Sequence, residues 1–318
     1  MKDCKYKFSR RGAGTLLALL IFSATAPGAG GDGAPPAPAA PAAPPLAAAL
    51  TPLRWQQVEN SVDRALAWLA SQQAADGSFP TAPMGQPAVT SLCVMAFLSR
   101  GHQPGYGPYG AQMERAIDFV ISCQRPDGLF SYATPEAAHV VHGASHTASY
   151  NHAIAGLMLG EVYGHVTGER AKKVKAAIDR ALLFTHNLQR RSKPDYDQGG
   201  WRYLRVQTPD SDLSATAWQL MFLRSARNAE FNVPQAYIDR AMGYVSRCWD
   251  PQLRMFNYSL NSAVAGQNAS RGTTGAGIVA LSLWLPLSGT LSSLLALPVG
   301  FAACLPFIWP ELHLLLQL

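Results

Sequence analysis

Apolar residues recur at helical spacing through most of the chain, and the recurrence itself repeats. Four segments share an opening: Val62-Asp63-Arg64-Ala65-Leu66, Ile117-Asp118-Phe119-Val120, Ile178-Asp179-Arg180-Ala181-Leu182 and Ile238-Asp239-Arg240-Ala241-Met242. Their aspartates lie 55, 61 and 60 residues apart. Three of the four share Ile/Val-Asp-Arg-Ala, so one unit of roughly sixty residues is repeated between Trp55 and Trp284. Each of these helices mixes an apolar stripe with charge, as in Arg170, Lys172, Lys173, Lys175 and Arg180. A second helix follows in each unit, over 89–100, 148–164, 214–229 and 273–284, and it is richer in apolar and small residues. The contrast predicts outer first helices and inner second helices.

Between the two helices stands a turn followed by an aromatic. The first unit has Gln72-Gln73-Ala74-Ala75-Asp76-Gly77-Ser78-Phe79 and the second Gln124-Arg125-Pro126-Asp127-Gly128-Leu129-Phe130. The third has Asp197-Gln198-Gly199-Gly200-Trp201, and the fourth is degenerate, running from Asp250-Pro251-Gln252 to Met255-Phe256-Asn257-Tyr258. Asp-Gly turns the chain because Gly takes positive φ freely and Asp bonds its own backbone. The aromatic then packs back and closes the unit. The fold class predicted is all-α, an α/α toroid or incomplete α/α barrel of about four helix–loop–helix repeats.

Composition changes the picture mainly at the two ends. The basic residues 1–11 precede an apolar run over 16–22 and then Ala24-Thr25-Ala26. This reads as an export signal or an N-terminal anchor over 1–30. Residues 31–53 form a Pro/Ala-rich linker that has no means of building a core. The repeat domain occupies 54–284. From Thr273 to Pro310 there is no charged residue, and Pro286, Pro298, Pro306 and Pro310 interrupt any helix. The tail 285–318 reads in three ways: a membrane-inserting segment, a departure of the reading frame from the repeat domain, or a buried apolar segment. The second is preferred, because the last inner helix carries no stop signal. The expected location is therefore exported, in the periplasm, the cell envelope or the medium.

The net charge is +6, but the first 33 residues supply half of it and no basic block follows. Nucleic-acid binding is not expected. Cys93, Cys123 and Cys248 fall in helical patterns without a Cys-x-x-Cys pair, and read as buried free thiols.

With its turns and aromatics, the unit resembles the repeat of the prenyltransferase and squalene-cyclase superfamily, the α/α-toroid proteins. The Gln-to-aromatic segments are similar to the QW motif of triterpene cyclases, with Trp201 matching its Trp and Phe79 and Phe130 replacing it. Asp210-Ser211-Asp212-Leu213-Ser214-Ala215-Thr216 follows Gly199-Gly200-Trp201. It resembles the DxDD-T-A motif that hopene-type cyclases carry at this distance, with Leu213 for the third acid and Ser214 for the Thr. The resemblance implies that Asp212 is the acid that protonates an alkene and Asp210 its partner. Clustered carboxylates share protons, and aromatic faces stabilise cations. Trp201, Tyr203, Trp218, Tyr150 and Phe222 are the candidate lining. The same aspartates also read as a helix cap, and that is the simpler reading of Asp-Ser-Asp before an apolar helix.

Four histidines, His139, His142, His146 and His152, cluster in sequence. Protein prenyltransferases of the superfamily bind zinc through Asp, Cys and His, but this chain has no Asp-x-Cys. No metal or cofactor is expected. His152, at an inner-helix start, is the histidine proposed to assist Asp212. A closed toroid of the superfamily has about six helix pairs, two more than are seen here.

Two functions compete. The first is a terpene-cyclase-like isomerase or lyase acting on an isoprenoid lipid. The second is a non-catalytic exported repeat protein that binds a ligand or partner in its cavity. A carbohydrate-active enzyme would use paired carboxylates, and ranks last because the inner helices hold few acids.

Overall fold

The computed structural model describes residues 51–204, 209–261 and 269–284. The expected export segment, most of the linker and the apolar tail lie outside them. The chain divides into two compact units, residues 1–68 and 69–318. Of the first unit, the described part lies in helix α1 (Pro52–Ser71), which has Leu66 as its one buried residue.

The second unit contains α2 (Ala88–Ser99), α3 (Gly110–Ser122), α4 (Ala144–Val162), α5 (Gly168–Gln189), α6 (Leu213–Asn228), α7 (Gln235–Arg247) and α8 (Arg271–Trp284). A two-stranded hairpin, β1 (Trp249–Asp250) and β2 (Met255–Phe256), follows α7 with Trp249 opposite Phe256. Apart from this hairpin, the architecture of the described residues is all-α. Among the described residues no helix is long and apolar enough to cross a membrane.

The helices sort into two rows. Helix α4 packs most extensively on α6, α6 on α8 and α4 on α2, so the second helices form the inner row. Each of α3, α5 and α7 bears a single apolar stripe. On α3 it is Met113, Ala116, Ile117 and Val120, and on α7 it is Ile238, Ala241 and Val245. That spacing of three and four aligns the side chains on one helix face. Helix α4 is different, being buried on nearly every side from Ala144 to Val162. Gly156 lets it approach α6 closely, since a Cβ there would meet the ring of Phe222 at 2.7 Å. The outer row is charged on its far side, where Arg170 of α5 pairs with Glu114 at 2.5 Å and Asp118 at 3.0 Å on α3.

The repeated turn is a clasp between neighbouring units. Gln73 Nε2 donates to Gly77 O and to Gln112 O on α3, both at 2.9 Å. Gln124 Nε2 does the same to Gly128 O at 3.1 Å and Ala177 O on α5 at 2.8 Å. Gln189 Nε2 reaches Gly199 O at 2.8 Å and Tyr237 O on α7 at 2.9 Å. The turn glycines have φ of +93°, +95° and +93° and lie against the carbonyls of Arg115, Arg180 and Arg240. Positive φ and that close approach together require Gly. The following aromatics are buried: Phe79, Phe130, Trp201 and, in β2 of the hairpin, Phe256.

Each aromatic is also tied by its backbone N–H to an inner-helix side chain. Phe79 donates to Thr90 Oγ1 at 3.0 Å, Trp201 to Thr216 Oγ1 at 3.0 Å and Phe256 to Thr274 Oγ1 at 3.2 Å. In the second unit Phe130 donates to His152 Nδ1 at 3.2 Å. His152 thus takes the place that threonine holds in the other three.

Candidate active site at the start of the third inner helix

The site is assembled by two short segments running antiparallel. Asp212 N donates to Trp201 O at 3.0 Å, and the two residues form a β-bridge. Trp201 is wholly buried and its Nε1 donates to Thr185 O at 3.0 Å. With Trp201 fixed, the next residue, Arg202, is laid across the acidic segment. Arg202 Nη1 meets Asp210 Oδ2 at 2.8 Å and Nε meets Asp212 Oδ2 at 3.3 Å. Asp212 is fully buried, and the side chains of Asp210 and Arg202 are 7% and 10% exposed.

Asp212 is the N-cap of α6, with Oδ1 accepting from Ala215 N at 2.7 Å. The capping expectation is therefore met, and the ion pair is added to it. Both contacts favour the carboxylate. Burial works against the charge on Arg202, but Asp212 and then Asp210 overcome it and raise the guanidinium above its ordinary range. Breaking such a pair from one side costs far more than the pair contributes, because a buried charge is left behind.

Arg202 also lies over two aromatic rings, 5.0 Å from the centre of Tyr203 and 5.4 Å from that of Tyr258. The two phenol oxygens are 2.9 Å apart. Tyr258 is drawn to α6 by its carbonyl, which accepts from Leu213 N at 2.7 Å. Burial, reinforced by the charge of Asp212, holds the Tyr258 phenol neutral far above its usual range. Tyr203 and Trp218 pack on a small apolar cluster of Ala88, Tyr150, Ile154 and Ala215. Three expected lining residues, Tyr150, Tyr203 and Trp218, are thus brought together at one end of the inner row. Trp201 and Phe222 are elsewhere in function: both are fully buried, Trp201 as the anchor of the turn and Phe222 against Gly156.

The histidines separate into two groups. His139 and His146 share a 3.2 Å hydrogen bond and stack on Tyr203, His146 at 3.9 Å between centroids. Glu136 holds this stretch by accepting Ala144 N at 3.1 Å and Ser145 N at 2.7 Å. His152 lies in the interior among Phe130, Phe184 and Phe222, and its Nε2 meets Thr185 Oγ1 at 2.9 Å. Burial pushes it down to about 3, so it is neutral. Both ring nitrogens are engaged in the interior, and its bonds are to Phe130 and Thr185 rather than to the Asp212 pair.

Four participants were not singled out from sequence: Arg202, Tyr258, Lys193 and Asp197. Lys193 is buried, and its Nζ donates to Gly200 O and, at 3.4 Å, to Ser211 Oγ. Burial lowers it to about 8, against the opposing pull of Asp197. Asp197 is 1% exposed. The adjacency of Arg202 to the anchoring Trp201 was the one available signal, and it acquires meaning only with the 201–212 bridge. Cys93, Cys123 and Cys248 are buried free thiols, as expected, and burial pushes each up to about 12.

No known protein family matches the chain. Among solved structures, a polysaccharide lyase aligns with a TM-score of 0.44 and 16% identity, over 76% of this chain and 65% of its own. Among curated proteins, the chain is similar to drimenyl diphosphate synthase of Streptomyces showdoensis, at 26% identity over 186 residues. That stretch is 58% of this chain and 30% of the synthase, so the chain spans less than a third of its relative.

Proposed function

We propose that the chain is a terpene-cyclase-like domain of the prenyltransferase and squalene-cyclase superfamily. Its reaction is the cyclisation of a polyprene, begun by protonation of an alkene from Asp212 with Asp210 as partner. One observation carries the reading: the Asp212–Arg202–Asp210 group and the aromatic cluster of Tyr150, Tyr203 and Trp218 stand at the same end of the inner row, joined through Arg202 on the Tyr203 ring. The similarity to drimenyl diphosphate synthase supports it, and polyprenyl diphosphates are among the substrates to try.

The chemistry sets a specific demand. An alkene is a weak base, so its proton donor must have a very stable conjugate anion. Arg202 and the Ala215 N–H stabilise that anion at Asp212. The aromatic faces would stabilise the cations that follow.

A second reading has its own observation. Asp212 caps α6 and pairs with Arg202, contacts that a ligand-binding repeat protein without catalysis would make equally. One experiment separates the two. The purified chain is incubated with squalene, polyprenols and polyprenyl diphosphates across a pH series, and products are analysed for new rings. Cyclic product from any of these substrates supports the cyclase. If no substrate is cyclised at any pH while lipid or glycan from a cell-envelope extract is retained, the binding reading replaces it.

A further inference from the structure

Neighbouring units are joined in one way, and the first unit shows only half of such a joint. The turn and inner helix of one unit seat on the outer helix of the next, α2 on α3, α4 on α5 and α6 on α7. Each clasp Gln follows an arginine by nine residues: Gln73 after Arg64, Gln124 after Arg115 and Gln189 after Arg180. The arginines therefore set the register of the outer helices. Two residues before Arg64, Arg115, Arg180 and Arg240 stand Val62, Met113, Ile178 and Ile238, so Met113 takes the place that the sequence pattern assigns to Ile117. One residue after them stand Ala65, Ala116, Ala181 and Ala241.

On the three outer helices that follow a turn, this surface is closed. Met113, Ile178 and Ile238 are at most 1% exposed, and Ala116, Ala181 and Ala241 are fully buried. On α1 it is open: Val62 is 37% and Val58 43% exposed, and Ala65 is exposed with them. Arg115 Nη2 and Arg180 Nε donate to Oε1 of the Gln before them, at 2.8 and 2.9 Å. Arg64 turns back instead to Ser61 Oγ on its own helix, at 3.2 Å. A terminal repeat ordinarily carries a polar outer face, but α1 keeps the apolar stripe of an internal one.

The other half of the joint belongs to the fourth unit, after which no outer helix follows among the described residues. Trp249 stands nine residues after Arg240, in the clasp position, and packs on Phe256 at 5.0 Å between centroids. It is 40% exposed, and Leu253 in the hairpin turn is 52% exposed. Helix α8 is buried only at Gly272, Gly275, Gly277 and Ala280, with Ile278 and Leu281 half-buried. An apolar clasp suits the seat on α1, where Val58 and Val62 flank Ser61, the counterpart of the clasp acceptors Gln112, Ala177 and Tyr237. The chain outside the described residues has no turn to offer: residues 1–50 contain no Gln and 285–318 no Asp.

We propose that copies of this chain associate head to tail, the fourth-unit hairpin of one copy seating through Trp249 and Leu253 on Val58, Val62 and Ala65 of α1 in another. The contact joins two different patches, so it builds a ring or an open chain according to the rotation between copies. It stands independently of the function proposed above.

The test is the mass of the full chain in solution, by light scattering over a concentration series. Wild type should grow beyond a monomer as concentration rises. Val62→Lys and Trp249→Lys should each hold the chain monomeric, with helical content unchanged by circular dichroism. Val58→Lys and Leu253→Lys take their places if either does not fold. The first variant keeps its hairpin and the second its α1 face, so an equal mixture should form a dimer and nothing larger. Wild type that stays monomeric at every concentration overturns the proposal, and assigns the cover of α1 to the chain itself or to another protein. Association that neither substitution changes overturns it too. So does association lost in both variants and not recovered on mixing, which belongs to a face that pairs with itself.

Discussion

The second and third inner helices solve the same packing problem in different ways. Each must receive the backbone N–H of the aromatic that closes its turn. Helix α4 uses His152 for Phe130, and α6 uses Thr216 for Trp201. Around His152 the surroundings are aromatic and neutral. One turn before Thr216 the chain places Asp212, tied to Arg202 and Asp210. Set side by side, the two sites show what belongs to the repeat and what departs from it. A polar residue that recurs at an equivalent place in four units is a strut. The charged group, found among the described residues at the third unit alone, is the candidate for chemistry.

Breaking the charged side should have the largest effect. Arg202→Met leaves Asp210 and Asp212 buried without their cation, at a cost of about 3–5 kcal/mol near neutral pH. Urea unfolding would show it, and the loss should shrink as pH falls, because bound protons replace the missing charge. An equal loss at all pH values would mean that Arg202 matters through packing. Removing the aromatic anchor on the charged side is comparable. Trp201→Ala should cost about 3–5 kcal/mol, independent of pH.

The neutral side makes a different prediction. His152 is depressed to about 3 by burial, and His186 to about 4 by burial and then Arg240. On unfolding both return to about 6.5. Between pH 6.5 and about 3 the unfolded chain therefore binds protons that the folded chain refuses, and stability falls as the pH is lowered. His152→Thr keeps an acceptor for Phe130 N–H and should flatten that dependence. His152→Leu removes the acceptor and should cost about 1–3 kcal/mol at neutral pH. Smallest of all, Tyr258→Phe removes one hydrogen bond to Tyr203, worth about 1 kcal/mol, measurable as a small shift in denaturation midpoint.

Much of this was legible in the chain, and the rest was hidden for identifiable reasons. The helix pairs show because Asp63, Asp118, Asp179 and Asp239 recur with the apolar stripe. The turns show because Gly77, Gly128 and Gly199 need positive φ. Asp210 and Asp212 show as a motif. The equivalence of His152 with three threonines is obscured by loop length: 22 residues separate it from Phe130, against 11 from Phe79 to Thr90 and 15 from Trp201 to Thr216. The partnership of Arg202 with both aspartates is tertiary. It arises from the antiparallel bridge of Trp201 with Asp212, which no periodicity announces.

The central claim is that the charge at the third inner helix serves chemistry in addition to the cap. Asp212→Asn separates the two, because asparagine caps a helix about as well as aspartate but does not donate a proton to an alkene. The measurement is cyclic product formed from polyprenes by wild type and Asp212→Asn, with the helical content of both checked. The account predicts a variant that is less stable but still folded under assay conditions and whose product falls at least about a hundredfold, as loss of a general acid does. Product formed by the variant at the wild-type rate would contradict it.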